Sequence, residues 1–147
     1  MSEDRALAAL LLHGGIVFFI GMLVGVPYGV LRARGTPAED LDDWRISHAQ
    51  NLQNGFLLLF AGLCAPHLSL GTTATAWMVA SLVVAAYTDM LAWLIRPLTG
   101  HSGLLPNPPL TNLTAFACFN VTIVGQFVGM AIFVWGAAAA WLASSAS

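Results

Sequence analysis

Residues 73–95 read TATAWMVASLVVAAYTDMLAWLI, and this stretch decides the fold because it is long, apolar and interrupted by one charge, Asp89. A helix crosses the hydrocarbon core of a membrane with about 20 apolar residues. Three further runs have this length, at about residues 6–31, 46–68 and 110–142. In these continuous runs, apolar and polar residues do not alternate as they do in the strands of a membrane barrel. The sequence therefore predicts an all-α integral membrane protein, with one four-helix transmembrane domain over residues 1–147.

The composition excludes other classes of protein. Of the 147 residues, 58% are hydrophobic and 8% are charged, whereas a soluble domain carries about 25% charged residues. The basic residues are five arginines and the net charge is −2, so the chain cannot neutralise a run of phosphates. A soluble globular protein and a nucleic-acid-binding protein are both inconsistent with these values.

The arginines predict how the helices cross the membrane. Four of the five lie in the first and third connections, and only Arg5 lies at the N-terminus. Arginine is enriched in cytoplasmic loops, so these two connections are expected in the cytoplasm and both termini outside. The expected location is the inner membrane of the cell, as a multi-pass protein.

The polar residues within the apolar runs are predicted to cluster at one depth. Antiparallel helices rising about 1.5 Å per residue bring His48, Asn54, Asp89 and Asn120 into the same half of the membrane. Polar groups are costly in lipid, so these residues should face the bundle interior or a subunit interface. A functional site is one interpretation of this cluster.

Structural interpretations of the same residues remain open. Asparagine and glutamine also link helices by hydrogen bonds, a role that suits Asn112, Asn120 and Gln126. Asp89 has a structural alternative as well, a salt bridge to Arg96 two turns further along its helix.

Two histidines lie within the predicted spans and raise the question of a haem. His13 and His48 enter from opposite membrane faces, so their depths should differ by roughly 10–20 Å at the rise of an α-helix. They are therefore not expected to ligate one haem within a chain. A haem held by one histidine would keep an open coordination site, which Lewis-acid chemistry at a metal requires.

Several motifs resemble those of a known family, the membrane-bound styrene oxide isomerases. The string Trp44-x-x-x-His48-x-x-x-x-x-Asn54-Gly55 is similar to the signature of that family's second helix. Further similarities, in matching order over most of the chain, are His13-Gly14 before Gly25-Val26, Asp89, and the loop residues Leu105-Pro106-Asn107.

The resemblance implies a homotrimer of four-helix subunits with haem b at the subunit interfaces. His48 then corresponds to the iron ligand, and Asn54 and Asp89 to the active-site residues. His13 and Asn120 are predicted as further cofactor-binding residues. The implied activity is a Meinwald rearrangement, in which ferric haem acts as the Lewis acid and a small hydrophobic epoxide becomes an aldehyde or ketone by a 1,2-hydride shift.

The chain departs from the family at one functional position, and other functions stay open. Pro97 stands where the family carries a tyrosine about two turns after the aspartate. The alternatives are a haem-binding electron-transfer or sensor subunit, a haem-free isomerase like the sterol isomerases, and a small transporter or assembly factor.

Overall fold

The computed structural model describes residues 1–145, and these form four long helices and no strand. Helix α1 is Glu3–Ala33, α2 is Ala38–Cys64, α3 is Thr72–Thr99 and α4 is Leu110–Ser144. A single 3-10 turn, Ala65–His67, follows α2. The all-α prediction is confirmed for the described residues, whereas the last two residues of the predicted domain, Ala146 and Ser147, lie outside them.

Three of these helices are long and apolar enough to cross a membrane, namely Asp4–Ala33, Thr72–Thr99 and Leu110–Ser144. The exception is α2, whose first half carries many polar side chains between Glu39 and Asn54. It begins at Ala38, eight residues before the predicted span, and so includes the acidic part of the first connection. The crossing of the membrane by α2 stays a prediction.

Glycines allow the helices to pack closely in two pairs. A Cβ on Gly14 or Gly21 of α1 would lie 2.9 Å from the Leu59 nitrogen or 2.8 Å from the Leu52 nitrogen of α2. A Cβ on Gly125 of α4 would lie 2.8 Å from the Ser81 carbonyl oxygen of α3. The small-residue stripes therefore bring helices together within the chain, as small-xxx-small patterns do in membrane proteins. The buried core between the pairs includes Leu10, Val17, Leu58, Met78 and Leu82.

The connection between α3 and α4 folds back onto α4. The amide oxygen of Asn112 accepts a hydrogen bond from the Gly103 nitrogen at 2.9 Å. Its amide nitrogen donates to the carbonyl oxygens of Leu105 and Asn107, both at 2.8 Å. Gly103 has φ of 66°, and a Cβ there would lie 2.5 Å from that of Ala115. This connection is therefore an ordered loop, and Asn112 holds it in place.

Candidate active site

His48 lies against the backbone of α1, where Gly25 makes room for its ring. Its Nδ1 lies 2.7 Å from the carbonyl oxygen of Gly21. One turn further along α1, a Cβ on Gly25 would lie 2.7 Å from Cε1 of the same ring. The imidazole thus occupies space that any larger residue at position 25 would fill.

This contact determines which ring nitrogen of His48 is available. A carbonyl oxygen can only accept a hydrogen bond, so Nδ1 carries the proton in the neutral ring. Nε2 then holds a lone pair, and it makes no hydrogen bond to any residue from 1 to 145. Metal-ligating histidines are commonly oriented in this way by a bond from their other nitrogen to a backbone carbonyl.

Asn54 and Asp89 form a buried polar cluster between α2 and α3. The Asn54 amide nitrogen donates to the Asp89 carboxylate at 2.5 Å, and both residues are 6% exposed. Gln126 of α4 donates to the Asn54 amide oxygen at a longer 3.4 Å. Of the four residues predicted to cluster, Asn54 and Asp89 are therefore in contact, whereas His48 contacts α1 instead. Gln126 extends the cluster to a third helix.

His48 and Asn54 project from different faces of α2. They are six residues apart, which at about 100° per residue separates their directions by about 120°. His48 accordingly contacts α1, whereas Asn54 contacts α3 and α4. One helix therefore carries an available imidazole on one side and a closed amide–carboxylate pair on another.

An ion pair also links α2 to α3, nearer to the first and third connections than the Asn54–Asp89 cluster is. Arg96 pairs with Asp43 of α2 at 2.7 Å, and its guanidinium lies 5.2 Å from the centre of the Trp93 ring. Trp93 also packs edge-on against Phe119 of α4 with ring centres 5.3 Å apart. Asp89 therefore has no salt bridge to Arg96, and that structural alternative is wrong.

His13 lies apart from His48 and contacts a different helix. Its Nδ1 is 3.1 Å from the Tyr87 hydroxyl of α3, and the two rings meet edge-on. His48 touches α1 at Gly21 and Gly25, so His13 is displaced along α1 by 8 to 12 residues, about 12–18 Å at the helical rise. This agrees with the expectation that the two histidines do not share a haem within one chain.

Asn120 lies on the outer surface of the chain and not in its interior. Its amide nitrogen donates to the Phe116 carbonyl of its own helix at 2.8 Å. The residue borders an apolar groove of about 550 Å³ between α3 and α4 that Trp77 and Val124 also line. The bundle interior is therefore the wrong location for Asn120, and a subunit interface stays a prediction.

Ser47 and Asn51 also belong to the polar part of α2, and the interpretation of the sequence missed them. Both are fully buried, and the Asn51 amide nitrogen donates to the Ser47 carbonyl at 2.8 Å. The Asn51 amide oxygen has no hydrogen-bond partner among residues 1–145. The spacing of positions 47, 51 and 54 is that of one helix face, so periodicity would have revealed this buried polar stripe.

Two comparisons with known proteins cover nearly the whole bundle. A family model described as styrene oxide isomerase matches residues 7–138. The chain is also similar to the hydroxylaminobenzene mutase HabB of Ectopseudomonas oleovorans, with 32% identity over 145 residues. That alignment covers 92% of this chain and 84% of the relative. Both matches therefore include the His48 and Asn54–Asp89 regions together.

Proposed function

The chain belongs to the styrene oxide isomerase family, and from this premise we propose that it is a haem-dependent membrane isomerase acting on a small hydrophobic epoxide. The family and the relative support an isomerase or mutase in a membrane. The epoxide, the haem and the mechanism are our proposals, and the orientation of His48 is the observation that carries them.

The residues around His48 suit a haem b ligand. The neutral imidazole offers Nε2 as the donor atom because Nδ1 is engaged by the Gly21 carbonyl. Gly25 provides the space in which the ring packs against α1. A bound ferric haem would supply a Lewis acid with an open position, which polarises the carbon–oxygen bond of a substrate.

The proposed reaction is an isomerisation that conserves every atom of the epoxide. One ring carbon–oxygen bond breaks, a hydride moves between the two ring carbons, and an aldehyde or ketone results. The Asn54 amide orients the substrate oxygen by donating a hydrogen bond to it, and it neither gives nor takes a proton. The Asp89 carboxylate stabilises the positive charge that develops on carbon, because preorganised charge is most effective where water is excluded. Gln126 restrains the Asn54 amide.

A second candidate reaction is the rearrangement of hydroxylaminobenzene. It is favoured by the 32% identity to a hydroxylaminobenzene mutase. This chain also has Pro97 where the styrene oxide isomerases carry a tyrosine, so it departs from the family at a functional position. In such a mutase reaction the nitrogen–oxygen bond breaks and the hydroxyl returns to the ring, giving an aminophenol of the same formula. The same amide and carboxylate would serve it.

We also propose a homotrimer with haem between the subunits. The exposed amide of Asn120 supports this assembly, since a polar side chain facing lipid is costly and a neighbouring subunit would cover it. Native mass spectrometry in detergent tests the assembly directly. A single trimeric species is expected, and a monomer under conditions that preserve activity would contradict it.

Turnover assays on the purified, haem-supplied protein test the proposed activity. One arm follows the conversion of styrene oxide to phenylacetaldehyde, and the other follows the conversion of hydroxylaminobenzene to an aminophenol. Faster turnover of styrene oxide supports the epoxide isomerase, whereas faster turnover of hydroxylaminobenzene supports the second candidate. A preparation with an intact haem absorption band that converts neither hydroxylaminobenzene nor any of a panel of small hydrophobic epoxides, styrene oxide included, would contradict both.

A further inference from the structure

A polar pocket lies between α1 and α2 on the side of the first connection. Its volume is about 360 Å³, and its polar lining comprises Tyr28, Arg32, Thr36, Asp42 and Arg45. Two arginines and a tyrosine in one pocket offer many hydrogen-bond donors, as a site for an anionic oxygen group requires. None of these residues takes part in the polar cluster around Asp89.

The pocket lies directly beyond His48 along the same groove between α1 and α2. Gly25, which touches the imidazole ring, is seven residues from Arg32. Seven residues are about two helical turns, so both lie on one face of α1 with a separation of about 10 Å along its axis. On α2, Arg45 precedes His48 by three residues. The pocket and the imidazole therefore lie on one face of α1 and less than one turn apart on α2.

The charges in the pocket leave it with a net charge of +1. Arg45 donates from Nε and Nη2 to one carboxylate oxygen of Asp42, at 3.2 and 3.0 Å. Arg32 makes no ion pair with any residue that the structure describes. The guanidinium of Arg32 and the remaining donor nitrogen of Arg45 are thus available to a ligand. Asp42 neutralises only one of the two arginines.

We propose that this pocket binds the carboxylates of the porphyrin whose iron His48 ligates. The assignment rests on the proposed function, because it takes a haem at His48 as its starting point. The shared ligand chemistry is an anionic oxygen group, which a lipid phosphate would also present. The porphyrin is favoured because Arg32 and Gly25 share one face of α1, so the pocket and the imidazole lie in line.

Haem titrations of the apo-protein in neutral detergent test this assignment. The probes are ferric haem b and its dimethyl ester, which lacks both free carboxylates, and binding is followed by the haem absorption band. Arg32→Gln should weaken the binding of haem about tenfold, the effect of losing one charge-assisted hydrogen bond. Arg32→Lys should retain most of the affinity, because it keeps the charge.

Arg34→Gln is the matched control, since Arg34 is exposed two residues away and does not line the pocket. It should leave the affinity for haem unchanged. The dimethyl ester should bind the wild-type chain and Arg32→Gln equally well. Equal loss for haem and its ester, or equal effects of the two glutamine variants, would overturn the assignment.

Further outcomes distinguish a porphyrin carboxylate from a lipid phosphate in the pocket. They also distinguish failure of the pocket assignment from failure of the proposed function. If Arg32→Gln reduces the retention of phosphatidylglycerol in native mass spectra and leaves haem affinity unchanged, the pocket binds lipid and the porphyrin assignment is wrong. If the wild-type chain binds no haem, the proposed function itself fails. If the wild-type chain and Arg32→Gln bind haem at His48 with equal affinity, only the assignment of the pocket to the porphyrin carboxylates is wrong.

Discussion

The two sides of α2 differ in how their polar groups are satisfied. On the α1 side, His48 uses one nitrogen to contact the Gly21 carbonyl and leaves the other available. On the α3 and α4 side, Asn54 is hydrogen-bonded at both ends of its amide, to Asp89 and Gln126. On the proposed function, one side of α2 binds the cofactor and the other holds the carboxylate of Asp89 in place. Binding and chemistry should therefore be separable by mutation.

Replacement of Asp89, on the α3 and α4 side of α2, should reduce turnover and have the largest effect of the substitutions considered. Asp89→Asn removes the charge and keeps the volume, so turnover should fall by about 10²–10³, as for other preorganised electrostatic groups. Haem binding should be unchanged, because Asp89 hydrogen-bonds to Asn54 and not to His48. Turnover assays and the haem absorption band measure the two effects.

The control for this experiment is Asp40→Asn, in the exposed first turn of α2. It should alter neither turnover nor haem content. Loss of haem from Asp89→Asn would mean that the two sides of α2 are not separable.

Substitution of Gly25, on the α1 side of α2, should weaken haem binding. A Cβ at this position would lie 2.7 Å from the His48 ring, so Gly25→Ala must displace the ring or the helix. Overpacking of this kind costs about 1–3 kcal/mol, which corresponds to a loss of haem affinity of about 5- to 150-fold. Titration with haem measures the affinity.

Gly29→Ala is a closely matched control, because a Cβ at Gly29 has nothing within 4 Å. Alanine also favours a helix over glycine. Gly29→Ala should therefore bind haem as the wild-type chain does, and equal losses in the two variants would refute a specific contact between Gly25 and His48.

Asn112→Ala should sharpen the comparison by disturbing neither side of α2 directly. The substitution removes three hydrogen bonds that hold the loop after α3. Buried backbone groups left without partners cost about 1–3 kcal/mol each. We expect faster proteolytic cleavage within residues 100–109 and less than a tenfold change in turnover.

The side chain of Asn107 is exposed, so Asn107→Ala serves as the control for limited proteolysis. It should be cleaved at the wild-type rate. If both variants were cleaved equally fast, Asn112 would not be the residue that orders the loop.

Gln126→Ala should give the smallest effect. Its bond to the Asn54 amide is 3.4 Å long, and Asn54 keeps its shorter bond to Asp89. Loss of a weak hydrogen bond should lower turnover by about two- to fivefold. Gln53→Ala on the exposed side of α2 is the control, and a similar loss there would count against a role of Gln126 in the cluster.

Length and hydropathy are sufficient to predict α1, α3 and α4, but helix ends depend on local contacts. The acidic residues after Pro37 belong to α2, because acids in a first turn are favoured by the helix dipole. Helix α3 continues past Pro97 to Thr99, whose hydroxyl donates to the Ile95 carbonyl at 2.7 Å. Apolar patterning contains no information on either of these interactions.

For the site, the sequence predicts well how deep each residue lies in the membrane, and poorly which way its side chain points. The rise per residue fixes depth, so the meeting of Asn54 with Asp89 could be expected. Direction depends on how each helix rotates when it packs, as the outward position of Asn120 illustrates. The pairing of Arg96 with Asp43 likewise required the α2–α3 packing to be known.

The absorption spectrum of the haem-supplied protein tests the central claim, that His48 holds the haem, most directly. The wild-type chain should have a five-coordinate ferric spectrum, and His48→Ala should lose it. His67→Ala, which replaces an exposed histidine after α2, should retain the wild-type spectrum. An unchanged spectrum in His48→Ala, or no haem band in the wild-type chain, would contradict the claim.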